Sequence, residues 1–137
     1  MTEERNTRRL EEFLKAYADG DTDRLGAMLA DDAVWHVGGT HPFSGDYRGK
    51  DSILAYFDTV GDETGGTLRL DPIEMLANDR RGALFLRVTA MRGDRQLDVT
   101  MAEAFQFDQD GRIVEFWAHT TDQDAVNQFW REEISHG

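Results

Sequence analysis

Between Leu97 and Phe107 the chain alternates. Successive side chains of an extended strand point to opposite faces. Leu97, Val99, Met101, Glu103, Phe105 and Phe107 therefore share one side, and five of the six are apolar. The pattern predicts a strand with one face against a core or cavity. Glu103 is the exception. A carboxylic acid on such a face is costly to ionise without compensation. It either has a dedicated partner, or its protonation behaviour is a working part of the protein.

Periodicity organises the rest of the chain as well. Leu10, Phe13, Leu14 and Tyr17 recur at spacings of three and four, which predicts an amphipathic helix over about residues 3–19 that stops at Gly20. Asp21 or Thr22 can cap a second short helix whose apolar side holds Leu25, Met28 and Leu29. Residues 33–37 predict a short strand, with Trp35 and Val37 on one side and Val34 and His36 on the other. Residues 38–49, Gly-rich and carrying Pro42, predict a loop. Asp51 or Ser52 then opens a third helix through Ile53, Leu54, Tyr56, Phe57 and Val60, and Gly65 and Gly66 end that region.

Three strands follow, over roughly 67–77, 83–91 and 95–107, with reversals at Asn78-Asp79 and Gly93-Asp94. Pro72 cannot donate to a ladder, so the first of them is an edge strand or carries a bulge. Asp108-Gln109-Asp110-Gly111 is a hairpin turn. A last strand runs over about 112–121, and Asp122 or Asp124 can cap a closing helical turn with Val126, Phe129 and Trp130. Helices come first and antiparallel strands last, so the fold class is α+β with helices on one face of a curved sheet. No repeat, low-complexity tract or linker divides the chain, and 137 residues fit a single domain over 1–137.

Composition narrows the function classes. Hydrophobic residues make up 39% of the chain, enough for a substantial core. With no cysteine, disulfides and thiolate zinc sites are excluded. The net charge is −12, from 27 acidic against 15 basic residues, and would repel nucleic-acid phosphates and anionic lipid. The bland reading of that acidity is solubility. The apolar runs are too short for a membrane span, and Met-Thr-Glu-Glu-Arg lacks a signal peptide's apolar core, so a cytoplasmic protein with no nucleic-acid or membrane partner is expected.

Three stretches carry a resemblance. They are Leu29-Ala-Asp-Asp-Ala-Val34 after the two helices, Tyr47-Arg-Gly-Lys-Asp51 leading into the third, and Phe107-Asp-Gln-Asp-Gly-Arg-Ile113 followed by Glu115 and Trp117. In order and spacing the chain resembles the nuclear-transport-factor-two-like superfamily, above all the SnoaL-like polyketide cyclases and ketosteroid isomerases. The resemblance implies a cone-shaped, curved mixed β-sheet with N-terminal helices enclosing a cavity, and a homodimer formed through the outer sheet face. It does not imply a reaction, because the fold hosts several chemistries and non-catalytic binders. Carried over from ketosteroid isomerase, the oxyanion-hole tyrosine falls on Phe13, the general base on Val37 and the protonated acid on Glu103. Two of the three roles are thus missing, and isomerisation of steroids by that route is not expected. The carboxylates of related epoxide hydrolases would fall near Ala118, so that chemistry is not expected either.

Glu103 is the leading catalytic candidate. Set against this is a purely structural acid bonded to Tyr17, Tyr56 or an arginine such as Arg87, or a shifted strand that leaves it in water. The last strand has two readings. A simple bulge at Gly111 puts Trp117 opposite Glu103 and His119 opposite Met101, which makes His119 an acid–base partner. The family resemblance instead points Phe116, Ala118 and Thr120 inward and leaves Trp117 and His119 on the outer face. The second register is preferred because the loop matches that family in length.

The helices would contribute Phe13, Tyr17, Tyr56 and Phe57 to the cavity wall. The strands would contribute Trp35, Val37, Leu84, Leu86, Val88, Val99 and Met101. Trp35, Phe57, Phe129 and Trp130 could stack on a planar ligand, although core packing explains most of them. His41 can reach the cavity mouth from its loop. His36, His41 and His119 fit no metal-ligand spacing, and neither a metal nor a cofactor is expected. Asp122 reads as a helix cap. The expected function is binding of a hydrophobic, cyclic or polyketide-like small molecule, with cofactor-free isomerisation, dehydration or cyclisation if the chain is catalytic. The rival is a non-catalytic binding or dimeric interaction module.

Overall fold

The structure is a computed structural model that describes residues 2–131, with side chains from residue 4 onward. The expected domain over 1–137 extends outside the described residues at 1 and 132–137. In chain order the elements are α1 (Thr2–Asp19), α2 (Thr22–Met28), β1 (Leu29–Val37), β2 (Gly45–Arg48), α3 (Lys50–Glu63), β3 (Arg69–Ala77), β4 (Arg81–Arg92), β5 (Arg95–Phe107), β6 (Ile113–Thr120) and α4 (Gln123–Trp130). The six strands form one curved mixed sheet in the order β2-β1-β6-β5-β4-β3. Only β1 and β6 pair in parallel.

The apolar stripe of α1 buries Leu10, Phe13 and Ala16, and the helix lies across β3 and β4. That approach is close. A Cβ at Gly82 of β4 would stand 3.0 Å from Leu10 Cδ1 and 3.1 Å from Phe107 Cε2. Buried Asn6 fixes the same helix by donating from Nδ2 to the Asn78 carbonyl at 2.8 Å. α3 packs on β1 and β2, and α4 on β5. The cap of α4 is Asp122, whose carboxylate accepts from the Ala125 N–H. Asp21 caps α2 in the same way.

Three sequence expectations are corrected. Leu29 belongs to β1, where it pairs with Ile113, so that strand begins four residues before Ala33. A strand, β2, occupies part of the expected loop. It pairs with β1 but buries no side chain, so no hydrophobic alternation announces it. α3 starts at Lys50 behind Gly49 (φ +89°), with no side-chain cap from Asp51 or Ser52. Pro72 lies on an edge strand that is also bulged. The pairing shifts between Pro72–Leu86 and Glu74–Phe85, leaving Ile73 as the extra residue.

The register of β6 places the site. The hairpin begins with Phe107 opposite Ile113, the simple-bulge reading. Gln106 then pairs with Glu115, so Val114 is one residue too many. Beyond it every partner moves by one. Glu103 faces Ala118, Met101 faces Thr120 and Phe105 faces Phe116, while Trp117 and His119 oppose Ala104 and Ala102 on the outer face. A single inserted residue turns a strand over.

Candidate functional site

Between the helices and the inner sheet face lies a cavity of about 110 Å³. Phe13 and Tyr17 come from α1, Tyr56, Phe57 and Val60 from α3, Trp35 and Val37 from β1, and Phe116, Ala118 and Thr120 from β6. Val88, Met101 and Glu103 form the wall on β4 and β5. Aromatic rings brace it. Trp35 stacks on Phe116 at 3.6 Å between centroids and 7° between planes, as their cross-strand pairing requires. Phe57 meets Trp35 edge-on at 5.0 Å, and Phe13 meets Phe105 at 5.6 Å. Phe57 and Trp35 thus pack in the core and line the cavity at once, whereas Phe129 is core alone.

Glu103 projects into this space. The residue is 8% exposed, and its Oε1 has no hydrogen-bond partner among the described residues. Burial pushes its pKa up to about 8, because a carboxylate there loses its hydration. Tyr17 and Tyr56 lie close enough to feel its charge. Burial, reinforced by that charge, holds both phenols protonated well above their ordinary range. Neither hydroxyl is bonded to the acid. Arg87 is no partner either, since it forms a two-point ion pair with Asp98 on the exposed surface, at 2.9 and 2.6 Å. The purely structural role envisaged for Glu103, satisfied by one of these three residues, therefore lacks its bond.

Three expected wall positions are corrected. Leu84, Leu86 and Val99 are buried in the hydrophobic core but do not line the cavity. Leu84 and Leu86 are fully buried inward residues of β4, so they meet side chains rather than open space. The candidate pair of His119 with Glu103 is also corrected. The extra residue at Val114 carries His119 to the outer face, beside Leu76 and Ala83.

Wall residues outside those expectations include Val60, Leu68, Leu70, Gln123 and Val126. The i, i+2 spacing of the two leucines was an available signal. Nothing local marked Gln123, which reaches the wall from the first turn of α4 and bonds Asn127 at 3.1 Å. His41 lies on the wall from the segment between β1 and β2, with Phe43 and Trp130 as ring neighbours at 6.4 and 6.5 Å. Among the described residues, no Lys or Arg lines the cavity.

His36 faces outward, with an environment that spacing alone did not disclose. Its Nδ1 is 2.7 Å from Asp46 Oδ1 and its Nε2 is 2.6 Å from Glu115 Oε2, and the ring stacks on Trp117. Bonding to Glu115, then to Asp46, raises its pKa above the usual imidazole value. No group of three or more His, Asp or Glu side chains converges as a metal cradle among the described residues. None of the described helices is long and apolar enough to cross a membrane.

The family model of the SnoaL-like domain matches residues 10–116. An uncharacterised protein of Mycobacterium tuberculosis (strain ATCC 25618 / H37Rv) is 28% identical over 137 residues, covering 95% of this chain and 99% of its own. The structure of Bal32a, from a soil-derived mobile gene cassette, shares 32% identity with a TM-score of 0.91 over 96% of this chain and all of its own. An LEH-like epoxide hydrolase of M. tuberculosis superposes with a TM-score of 0.74 at 19% identity, over 94% of this chain and 92% of its own. That last likeness is one of fold alone.

Proposed function

We propose that this chain, which belongs to the SnoaL-like domain family, binds a compact, neutral, hydrophobic ring compound and moves a proton on it through Glu103. The observation that carries this reading is the orphaned Glu103 carboxyl in an otherwise apolar cavity. A volume of about 110 Å³ exceeds a water molecule and approaches the roughly 150 Å³ apolar cavity known to take benzene. Sites for larger, drug-sized ligands run to about 300–1,000 Å³, so one ring fits better than a polycyclic molecule. With no Lys or Arg on the wall among the described residues and Glu103 largely protonated at neutral pH, an anionic ligand would find no counter-charge.

The chemistry is cofactor-free acid–base transfer. Glu103 in its carboxylate form removes a proton from the carbon beside a ligand carbonyl and returns it elsewhere on the ligand. The protonated hydroxyls of Tyr17 and Tyr56 are the available donors to the oxygen that gains charge. Isomerisation, dehydration and cyclisation all use such a step. The test is deuterium uptake from D2O at the α-carbon of cyclohexanone and cyclohexenone, followed by NMR. The wild-type protein should exchange well above buffer, and Glu103→Gln should not. Equal rates in the two proteins would remove Glu103 from the chemistry.

A second reading, a dimeric interaction module, is favoured by the outer sheet face. There Leu76 is 52% exposed, with Phe85 and Met91 also open to solvent, and the bulged Ile73 is 63% exposed on the same edge strand. We propose that a second copy of this chain covers it. Sedimentation should show a dimer that Phe85→Asp dissociates; a monomeric wild-type chain would end this reading.

A further inference from the structure

Gln123 brings an open acceptor to the cavity wall. It stands in the first turn of α4, whose inner side lines the cavity with Gln123, Val126 and Trp130. Its amide has one orientation. The backbone N–H of Thr40 donates to the Asn127 side chain at 2.9 Å, so the atom that accepts there is the oxygen, Oδ1. The same oxygen lies 3.1 Å from the Gln123 amide, which must therefore present its donor, Nε2, on that side. Gln123 Oε1 is left over. It has no hydrogen-bond partner among the described residues, and on this half-buried side chain it is not enclosed by protein.

The surroundings hold the amide in that pose. Gly39, at φ +92°, leaves the space that both amides fill, and a Cβ there would collide with each. Gly38 stands on the cavity wall beside them. A Cβ on Gly38 would be 3.7 Å from Gln123 Oε1, so the glycine leaves that side of the oxygen uncovered. The helix is fixed at both ends, by the Asp122 cap and by Arg92 Nη1, which donates to the Phe129 carbonyl at 3.2 Å. The nearby wall hydroxyl is committed elsewhere. Thr120 Oγ1 donates to the Thr100 carbonyl at 3.4 Å and accepts the Asp122 N–H at 3.3 Å.

We infer that Gln123 is a specificity-determining residue whose Oε1 accepts from a hydroxyl on the ligand, so that the site takes hydroxylated ring ketones in preference to ketones without a donor. This rests on the cavity-binding reading above and narrows its ligand class. A hydroxyl that leaves water for an apolar cavity loses its hydrogen bonds and needs an acceptor there. The protonated Tyr17 and Tyr56 hydroxyls, on α1 and α3, are donors and suit the ketone oxygen. Gln123, on α4, supplies a neutral acceptor for the second group. A site built to bond a substrate hydroxyl discriminates against the analogue that lacks it.

The test compares 4-hydroxycyclohexanone with 4-fluorocyclohexanone. The two share a ring and a carbonyl, and fluorine is close to a hydroxyl in size but cannot donate. Affinities are read by tryptophan fluorescence, since Trp35 and Trp130 line the cavity. The wild-type protein should bind the hydroxyketone roughly fivefold more tightly, the scale of one net hydrogen bond. In Gln123→Met, which keeps the length of the side chain and removes the acceptor, the ratio should fall to one or below. A merely structural Gln123 would weaken both ketones alike and leave their ratio unchanged. A second measurement needs no variant: the ¹³C signal of the Gln123 side-chain carbonyl should shift with the hydroxyketone and not with the fluoroketone. Equal affinities in the wild-type protein, a ratio preserved in Gln123→Met, or a carbonyl signal that answers both ketones alike overturns the inference while the cavity reading stands. Failure of both ketones to bind overturns the cavity reading and this inference together. Loss of deuterium exchange alone would strike only the catalytic role of Glu103.

Discussion

Glu103 stands directly across from Ala118 in the β5–β6 ladder, and both side chains line the cavity. A longer side chain at 118 would point the same way and occupy it. Ala118→Leu should therefore abolish binding of single-ring ketones. Because the added atoms enter a void rather than a filled core, the melting temperature should change little, short of the roughly 1–3 kcal/mol cost of overpacking. Retained ligand affinity in a folded Ala118→Leu protein would contradict this placement.

Glu103 sets a pH dependence of stability. Its folded pKa of about 8 lies above the ordinary value of 4.5, so the folded state holds a proton that the unfolded chain releases. Stability from this group is complete below about pH 4.5, declines as pH rises towards 8, and is flat above that. The decline amounts to roughly a few kcal/mol. Glu103→Gln should flatten that limb in urea denaturation measured across pH. Parallel curves for the two proteins would show that the acid is hydrated.

His36 acts in the same sense over a higher window. Its folded pKa is raised by Glu115 and Asp46, so its contribution is full below the unfolded value of 6.5 and is lost as pH rises through the folded one. His36→Gln should cost more stability near pH 6 than near pH 9. The difference should be under about 1 kcal/mol, as for other solvent-accessible ion pairs. NMR titration of the ring gives the folded pKa directly, and a normal value would dissolve the cluster.

Asn6 links α1 to the β3–β4 turn through the Asn78 carbonyl. Asn6→Ala leaves that carbonyl unpaired and should destabilise the protein by about 1–3 kcal/mol. Asn6→Leu should not rescue it, because filling the volume restores no donor. Chemical denaturation of both variants checks this.

Much of the candidate site was legible. The alternation of β5 placed Glu103 on the inner face, and the stripe of α1 placed Phe13 and Tyr17 opposite it. Other features depended on partners distant in the chain. Leu84 and Leu86 alternate as well as Val88 does, yet of the three only Val88 borders the cavity, a difference set by what packs over each. The His36 cluster joins residues 36, 46 and 115, which no local pattern connects.

Sequence by itself determined which side of α1 and β5 faces inward, since side-chain direction follows backbone period, and it placed the β5–β6 turn and the cap of α4, since Asp108, Gly111 and Asp122 act on neighbours a few residues away. Tertiary structure alone decided the face of β6, through the extra residue at Val114, and with it whether Ala118 or Trp117 meets Glu103. It also decided where the inner face stays unfilled. Facing inward is a property of one segment, whereas an unfilled volume is what remains after every other segment has packed.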